Sequence, residues 1–485
     1  MVYLPALVLL PLALGAPAHR ENDKVPGIFS SLDFQTAFGE NIRHLSSWSW
    51  NKAGQVIDEL EAYGGLKTMG EEDDTGKTIW QRLNDDPNSF SKLVKIMEFE
   101  GHALEFLKDQ DLQITFFAPN NDALKCPHKH HDHDDSILEL LQSPSLFTLS
   151  AFMDKEPTLF AADDDDDDDD KDKKHKKEVI RKIAGKILAY HGLPKAYTVQ
   201  ELGQNSTFET GLKAEDGSYD GLHRRVRIVK ELVPPAIKLN FYAKIVASDR
   251  KASNGYFHAI DHPLLPPGSI FDETFLFPDC FSTLTSAVQK LNQRHTLDWG
   301  YDHEHSKPGK PKFHGTPLAT LFAPTNSAFL LLPPKLKFYL FSPFGEKALG
   351  KLLAYHYIPD TLLLSETLHV AKHRETEVLA EDGGDPSFYK ELKIETALPN
   401  ATITVEIEKK KLLPIEGFVK TTIKVNGDYV KIIDVPARNG AFHVIDKLLV
   451  PPHHCHDHGI QKQDIANDDA WNNWEQWLPQ WANEA

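Results

Sequence analysis

Four short blocks of this 485-residue chain occur twice, in the same order. Pro87-Asn-Ser-Phe90-Ser-Lys-Leu93 is matched by Pro278-Asp-Cys-Phe281-Ser-Thr-Leu284. Thr115-Phe-Phe-Ala-Pro119-Asn-Asn-Asp-Ala123 is matched by Thr320-Leu-Phe-Ala-Pro324-Thr-Asn-Ser-Ala328. Gly185-Lys-Ile-Leu-Ala-Tyr190-His191 is matched by Gly350-Lys-Leu-Leu-Ala-Tyr355-His356. Asn254-Gly-Tyr-Phe-His-Ala-Ile-Asp261 is matched by Asn439-Gly-Ala-Phe-His-Val-Ile-Asp446. One recurring block is weak evidence, but four in one order mean a duplicated domain. The spacing differs between copies: the first carries about 40 extra residues between its second and third blocks, the second about 20 between its third and fourth.

Each block has a structural role. Phe90, Leu93, Val94 and Met97 keep the i, i+3, i+4, i+7 spacing of a helix with one buried face, as do Phe281, Leu284 and Val288. The second block is an apolar strand ended by proline, followed by Asn120 or Thr325 as a helix cap. The third is a helix whose apolar stripe (Ile180, Ile183, Ile187; Leu349, Leu352, Leu353) continues into His191 or His356. A histidine in such a stripe is expected to be a core residue satisfied by one hydrogen bond; the alternative is a direct binding role. In the fourth, Asn-Gly predicts a hairpin turn, since both residues tolerate positive φ. The alternation of Ile403, Val405 and Ile407 with Thr404 and Glu406 predicts a strand before it. Each copy therefore reads as helices followed by an antiparallel-rich sheet, an α+β domain.

The Phe-Ala-Pro box, the Tyr-His pair and the Asn-Gly-x-Phe-His-x-Ile-Asp box, in this order, resemble the fasciclin domain. The resemblance covers 77–267 as domain one and 268–452 as domain two, with a disordered Asp/His-rich insertion at about 125–178. The insertions and the leader resemble fungal two-domain members of that family. The resemblance implies two tandem domains, each a β-sandwich-like core wrapped by helices, with no enzymatic activity and a role in adhesion at cell surfaces or in extracellular matrix. It also implies an adhesion determinant at Tyr190-His191 and Tyr355-His356, with Asn254, Asp261, Asn439 and Asp446 in the last box. Some fungal relatives reside in the vacuole, which gives a second location and a role in membrane traffic.

The N-terminus predicts a secretory route. Leu4 to Leu14 is apolar, too short to span a bilayer, and is followed by Ala16-Pro17-Ala18, a small-x-small cleavage site. Residues 1–18 therefore read as a signal peptide and 19–76 as a helical extension matching no part of the domain. Asn205 and Asn400 head glycosylation sequons, which suits that route. No later segment reaches the apolar length of a transmembrane helix, so the mature protein is expected in the medium or at the cell surface, with the vacuole as the alternative.

Acidic and basic side chains number 71 and 53, a net charge of −18 that argues against nucleic acid as partner. Eight of the acids are the run Asp163 to Asp170, which repels itself and reads as a solvated loop without the glycine turn of a calcium site. Two clusters, Cys126-His128-His130-His131-His133 and His453-His454-Cys455-His456-His458, hold imidazoles and thiols that suit zinc or copper. Adjacent ligands on one segment rarely build a closed tetrahedral site, so no cofactor is expected; zinc, copper and calcium binding stay as the alternative. Cys126, Cys280 and Cys455 permit one disulfide, whose pairing the sequence leaves open.

The segment 453–485 ends in Trp471, Trp474, Trp477 and Trp481, one face of a helix. That face either docks back onto the body or serves as a peripheral contact for a partner or an interface. No nucleophile elbow, zinc-protease helix or phosphate loop is present. His258 and Asp261, like His443 and Asp446, are three apart on a strand and point to opposite faces, so they form no acid–base pair. The expected function is non-enzymatic binding of a protein or glycoprotein.

Overall fold

A computed structural model describes residues 76–125, 145–155, 171–232, 235–302, 305–306, 312–379, 387–411, 419–452 and 471–483. The expected signal peptide, nearly all of the extension, the aspartate run and both His/Cys clusters, with Cys126 and Cys455, lie outside the described residues. The chain divides into two compact units, one built mainly from residues up to Pro266 and the other mainly from Pro267 onward.

The first unit opens with α1 (Ile79–Asn84), whose Thr78 and Gln81 form a capping box. Helix α2 (Pro87–Glu100) starts on a proline, with Asp86 accepting from the Ser89 N–H, and buries the expected Phe90, Leu93, Val94 and Met97. Gly101, at φ 85°, breaks the chain into α3 (His102–Lys108). Strand β1 (Ile114–Pro119) follows, then α4 (Leu146–Lys155) and α5 (Lys171–Tyr190). The remaining elements are β2 (Gly192–Leu193), α6 (Val199–Leu202), β3 (Thr207–Lys213), β4 (His223–Leu232), β5 (Pro235–Leu239), β6 (Ala243–Ala252) and β7 (Gly255–Ile260).

All seven strands form one sheet in the order β2-β1-β7-β6-β5-β4-β3. One pair, β1 with β7, is parallel, running from Ile114↔Gly255 to Pro119↔Ile260. The sequence reading missed this pairing, because nothing local marks two strands so far apart as neighbours. Alternation along β1 builds two cores. Phe116 and Ala118 join Phe257, Ala259 and the helix residues Phe90, Leu93 and Ile187. Phe117 joins Tyr190, Leu193, Leu239 and Ile260 on the other side.

The structure narrows the disordered insertion expected at about 125–178. Leu146, Leu149 and Phe152 of α4 are buried in the helical core, so this part is structural. The lysine-rich stretch after Asp170, expected as a loop, forms the first turns of α5. An apolar stripe beginning at Ile180 is long enough to carry polar turns ahead of it.

The second unit repeats the order of helices and the parallel strand pair, but its strands fall into four sheets of four, three, four and two strands. It holds α7 (Ile270–Phe275), α8 (Pro278–Lys290), α9 (Arg294–Leu297), β8 (Trp299–Tyr301), β9 (Phe313–Gly315), β10 (Ala319–Pro324), α10 (Asn326–Leu330), α11 (Pro334–Phe341) and α12 (Glu346–Tyr355). Strands β11 (Tyr357–Pro359), β12 (Thr361–Leu363), β13 (Thr367–Val370), β14 (Glu375–Val378), β15 (Phe388–Glu395), β16 (Thr402–Lys411), β17 (Val419–Val425), β18 (Asp428–Tyr429), β19 (Ile432–Ala437) and β20 (Gly440–Ile445) precede α13 (Trp474–Asn483). β10 and β20 form the equivalent parallel pair, from Ala319↔Gly440 to Pro324↔Ile445. Thr325 caps α10 as expected, its hydroxyl accepting from the Ala328 N–H. At the matching place in the first unit Asn120 accepts from the Ala123 N–H at 2.8 Å, but only a turn forms.

Candidate functional site: the repeated boxes

The third block ends each helix in the same buried arrangement. His191 is fully buried; its Nδ1–H donates to the Ile187 carbonyl at 2.8 Å and its Nε2 accepts from the Leu264 N–H at 2.9 Å. His356 repeats this, donating to Leu352 and accepting from Leu449 at the same two distances. Each ring joins the last turn of its helix to the strand that leaves the fourth block. Two hydrogen bonds, rather than the single one expected, hold it. Burial pushes both imidazoles down to about 4, and the bond to the helix carbonyl only partly opposes this. They are neutral and have no nitrogen left for a partner.

The neighbouring tyrosines are consumed as well. Tyr190 donates its hydroxyl to the Arg225 carbonyl (3.1 Å) and accepts from Asn240 Nδ2 (2.8 Å). Tyr355 donates to the Thr402 carbonyl (3.2 Å) and accepts from Asn426 Nδ2 (3.0 Å). Both rings are buried. All four side chains are buried, as the apolar stripe predicts for the two histidines. Burial raises the Tyr355 phenol, opposed by the Asn426 bond.

The asparagines of the fourth block also work internally. Asn254 Oδ1 accepts from the Ile79 N–H at 2.8 Å, and its Nδ2 donates to the Leu107 and Asp109 carbonyls. Asn439 does the same with Ile270, Leu297 and Thr316. Positive φ falls only on the following glycines, Gly255 at 126° and Gly440 at 140°. The expected reason for Asn-Gly, two left-handed residues in a turn, holds for the glycine alone. A Cβ on Gly255 would lie 1.9 Å from the Ile114 carbonyl oxygen, so the glycine is what lets β1 approach β7.

The side chains of Asp261 and Asp446 stay 34% and 42% exposed. Asp261 accepts from the Lys244 N–H (2.7 Å) and from His262 (2.9 Å). Asp446 accepts from the Thr325 hydroxyl (3.0 Å) and pairs with Lys431 (2.7 Å). His258 instead accepts the Asp249 N–H on Nδ1 and donates from Nε2 to the Tyr197 carbonyl, as His443 does with Asp434 and Leu363. No acid–base pair forms within the box.

Three further pairs of clamp residues escaped the sequence reading. Asn121 and Asn326 each donate to two carbonyls at the start of the first-block helix and accept an N–H there. Asn240 and Asn426 hold the tyrosines. Asp249 and Asp434, both at positive φ in a strand bulge, cap the N–H groups of Val199 and Ser365. Their recurrence in the two copies was the available signal.

The fasciclin-domain model matches residues 149–266 and 279–451, more than half of the chain. The chain belongs to the fasciclin-domain family. The first match begins after β1, yet β1 lies inside the same sheet, between β2 and β7. Among curated relatives, mouse stabilin-1 is 30% identical over 142 residues, 27% of this chain and 5% of stabilin-1. The pig transforming growth factor-beta-induced protein ig-h3 is 26% identical over 208 residues, 43% of this chain and 23% of that protein. The solved FAS1 domain pair of the insect cell adhesion molecule fasciclin I covers 74% of this chain and 96% of its own length, at 17% identity and a TM-score of 0.27. The chain thus spans only a fraction of these two curated relatives.

Around these fasciclin domains, the remaining expected sites fall as follows. The four tryptophans are all buried, against α11 and α12 of their own unit. Trp474 lies 5.1 Å from the Tyr339 ring, Trp477 stacks between Trp471 and Trp481, and Lys351 donates to the Trp481 carbonyl at 2.9 Å. Of the two readings of this face, docking onto the body is the one the burial matches. Asn400 is exposed in the β15–β16 turn, whereas Asn205 is half-buried beside a fully engaged Thr207. Cys280 is a free, half-buried thiol pushed up to about 11 by burial and by Asp279. Among the described residues no group of three His, Cys, Asp or Glu side chains is arranged to hold a metal ion, and no helix is long and apolar enough to cross a membrane.

Proposed function

We propose that this chain is a non-enzymatic fasciclin-domain protein of the secretory route that works by holding a protein or glycoprotein partner at the cell surface or in the matrix. The observation that carries the reading is where the signature residues go. The Tyr, His and Asn side chains of the boxes are spent on closing each domain, so they supply scaffold rather than chemistry. What the second domain offers to its surroundings is apolar. Leu330, Leu331, Phe338 and Phe344 are 70%, 69%, 80% and 87% exposed, all within the short run from the end of α10 to the turn after α11. Large apolar side chains gathered in the open are the usual mark of an interaction surface.

The test has two arms. A fluorescent insertion after Asp170, at native expression, reports location. Signal at the wall or in the medium supports the surface reading; signal confined to the vacuole lumen overturns it. The double variant Phe338→Ser, Phe344→Ser should keep its melting temperature and lose cross-linked partners. Unchanged cross-linking overturns the assigned surface.

A further inference from the structure

The two copies differ at one hairpin, and the difference opens a cavity in the second. In the first copy β5 and β6 pair Leu239 with Ala243, leaving Asn240-Phe241-Tyr242 as the turn. Tyr242 packs against the buried cluster that contains Leu239, Ile260 and Leu264. Its ring meets His262 edge-on at 6.4 Å. Its hydroxyl accepts from the Leu265 N–H at 2.7 Å and donates to the Pro263 carbonyl at 3.3 Å. The first copy therefore fills this place with its own phenol.

In the second copy the turn is one residue shorter, Asn426-Gly427, and the tyrosine comes one place later after the asparagine, at Tyr429. β17 and β18 pair Val425 with Asp428 and Lys424 with Tyr429. Successive side chains on a strand face opposite ways, so Tyr429 shares the face of Lys424 and turns away from that of Val425. Lys424 Nζ lies 4.9 Å from its ring centroid, and Tyr429 is 68% exposed. Beside it is a cavity of about 260 Å³ lined by Val425, Ile445 and Leu449 and by Tyr429 itself, with Asp428, Asp446 and Lys447. Val425, Ile445 and Leu449 stand where Leu239, Ile260 and Leu264 stand in the first copy. Leu448 and Val450 take the places of Pro263 and Leu265, whose carbonyl and N–H the Tyr242 hydroxyl bridges. At the rim Asp428 pairs with Lys447 at 3.3 Å and Asp446 with Lys431 at 2.7 Å. The rim charges are matched among themselves, so the cavity suits an uncharged group with one hydroxyl.

We propose that this cavity is a binding site for a tyrosine side chain of a partner protein, seated as Tyr242 is seated in the first copy. The inference rests on the reading of the chain as a partner-binding protein. It adds the chemistry of one contact, on residues separate from the exposed apolar run.

The test is methyl NMR of the full chain, labelled at Ile, Leu and Val and titrated with 4-methylphenol, with toluene and with N-acetyl-tyrosine amide. Saturable shifts are expected at Val425, Ile445 and Leu449. The two phenols should bind roughly fivefold or more tighter than toluene, the worth of one neutral hydrogen bond. Deleting Asp428 puts Asn426-Gly427-Tyr429 between Val425 and Val430, as Asn240-Phe241-Tyr242 lie between Leu239 and Ala243; this lets Tyr429 swing inward and should abolish the shifts. Lys447→Trp, which drops an indole over the opening, tests the same point if the deletion does not fold. Shifts that survive both variants, or none in the native chain, overturn the site. Equal binding of toluene overturns the phenol assignment. Binding of 4-methylphenol without the tyrosine amide overturns the protein source in favour of a small phenol. Because the probes are small molecules, these outcomes do not depend on cross-linking through Phe338 and Phe344.

Discussion

His356 reaches Leu449 across 93 residues of sequence, its Nε2 accepting the leucine N–H at 2.9 Å inside a fully buried site. A carbonyl four residues back, on Leu352, accepts the ring's one N–H, on Nδ1. The ring is thus a bridge between two backbones, and replacing it with Leu strands an N–H and a carbonyl together. His356→Leu should destabilise the second domain by about 2–4 kcal/mol, read from urea unfolding. His356→Gln, which can bridge in part, should lose less. Equal stability of native and Leu variant would show that the bridge is idle.

The same burial sets an acid limit. Folded His191 and His356 titrate near 4, against 6.5 for a free imidazole, so protonation favours the unfolded chain. Their stability contribution is complete above about pH 6.5, declines below it and is gone once pH falls through 4. Each is worth up to about 3 kcal/mol over that interval. Calorimetry across this range should show the melting temperature of native protein falling more steeply than that of His356→Gln. Parallel slopes would count against the assignment.

Asn439 gathers three backbone groups from the start of its domain. Asn439→Ala should cost about 2–3 kcal/mol through the stranded Ile270 N–H and the two carbonyls. Gly440→Ala should be worse, because its Cβ would sit 1.8 Å from the Ala319 carbonyl oxygen, backbone that cannot swing aside. Comparative thermal unfolding of the two variants ranks them, and the reverse order would contradict this geometry.

The tail helix should behave as part of the second domain. Trp477 is 7% exposed between two other tryptophans. Trp477→Ala should cost about 3 kcal/mol and increase acrylamide quenching of the remaining tail tryptophans. Unaltered quenching would mean that the tail does not dock.

Asn400 and Asn205 should differ in modification. The former is open in a turn and its sequon Thr402 is exposed; the latter is half-buried and its Thr207 hydroxyl is held by Arg225 at 2.9 Å. Glycopeptide mass spectrometry of secreted protein should find glycan at Asn400 and little at Asn205. Full occupancy at both would overturn the distinction.

What the sequence made legible was periodic or repeated. The Phe90-Leu93-Met97 stripe, the Thr325 cap and the Ile403-Val405-Ile407 strand all stand as read, because each is decided by spacing within one element. The parallel pairing of β1 with β7 was not legible, since partner choice is settled by tertiary packing. Nor was the role of Asn254: its side chain bonds residues whose nearness only the fold creates. The tryptophan spacing gave the helix but not its destination, because an amphipathic face looks the same whether its cover is internal or foreign.

The clamp between Ile79 and Asn254 spans 175 residues. As the chain emerges from the ribosome, the first helices must wait for the fourth block before their domain can lock, and β1 waits for β7 as well. Closure is a late event governed by distant pairings, which are slow to find. The aspartate run from Asp163 to Asp170 lies inside that waiting stretch, between β1 and β7.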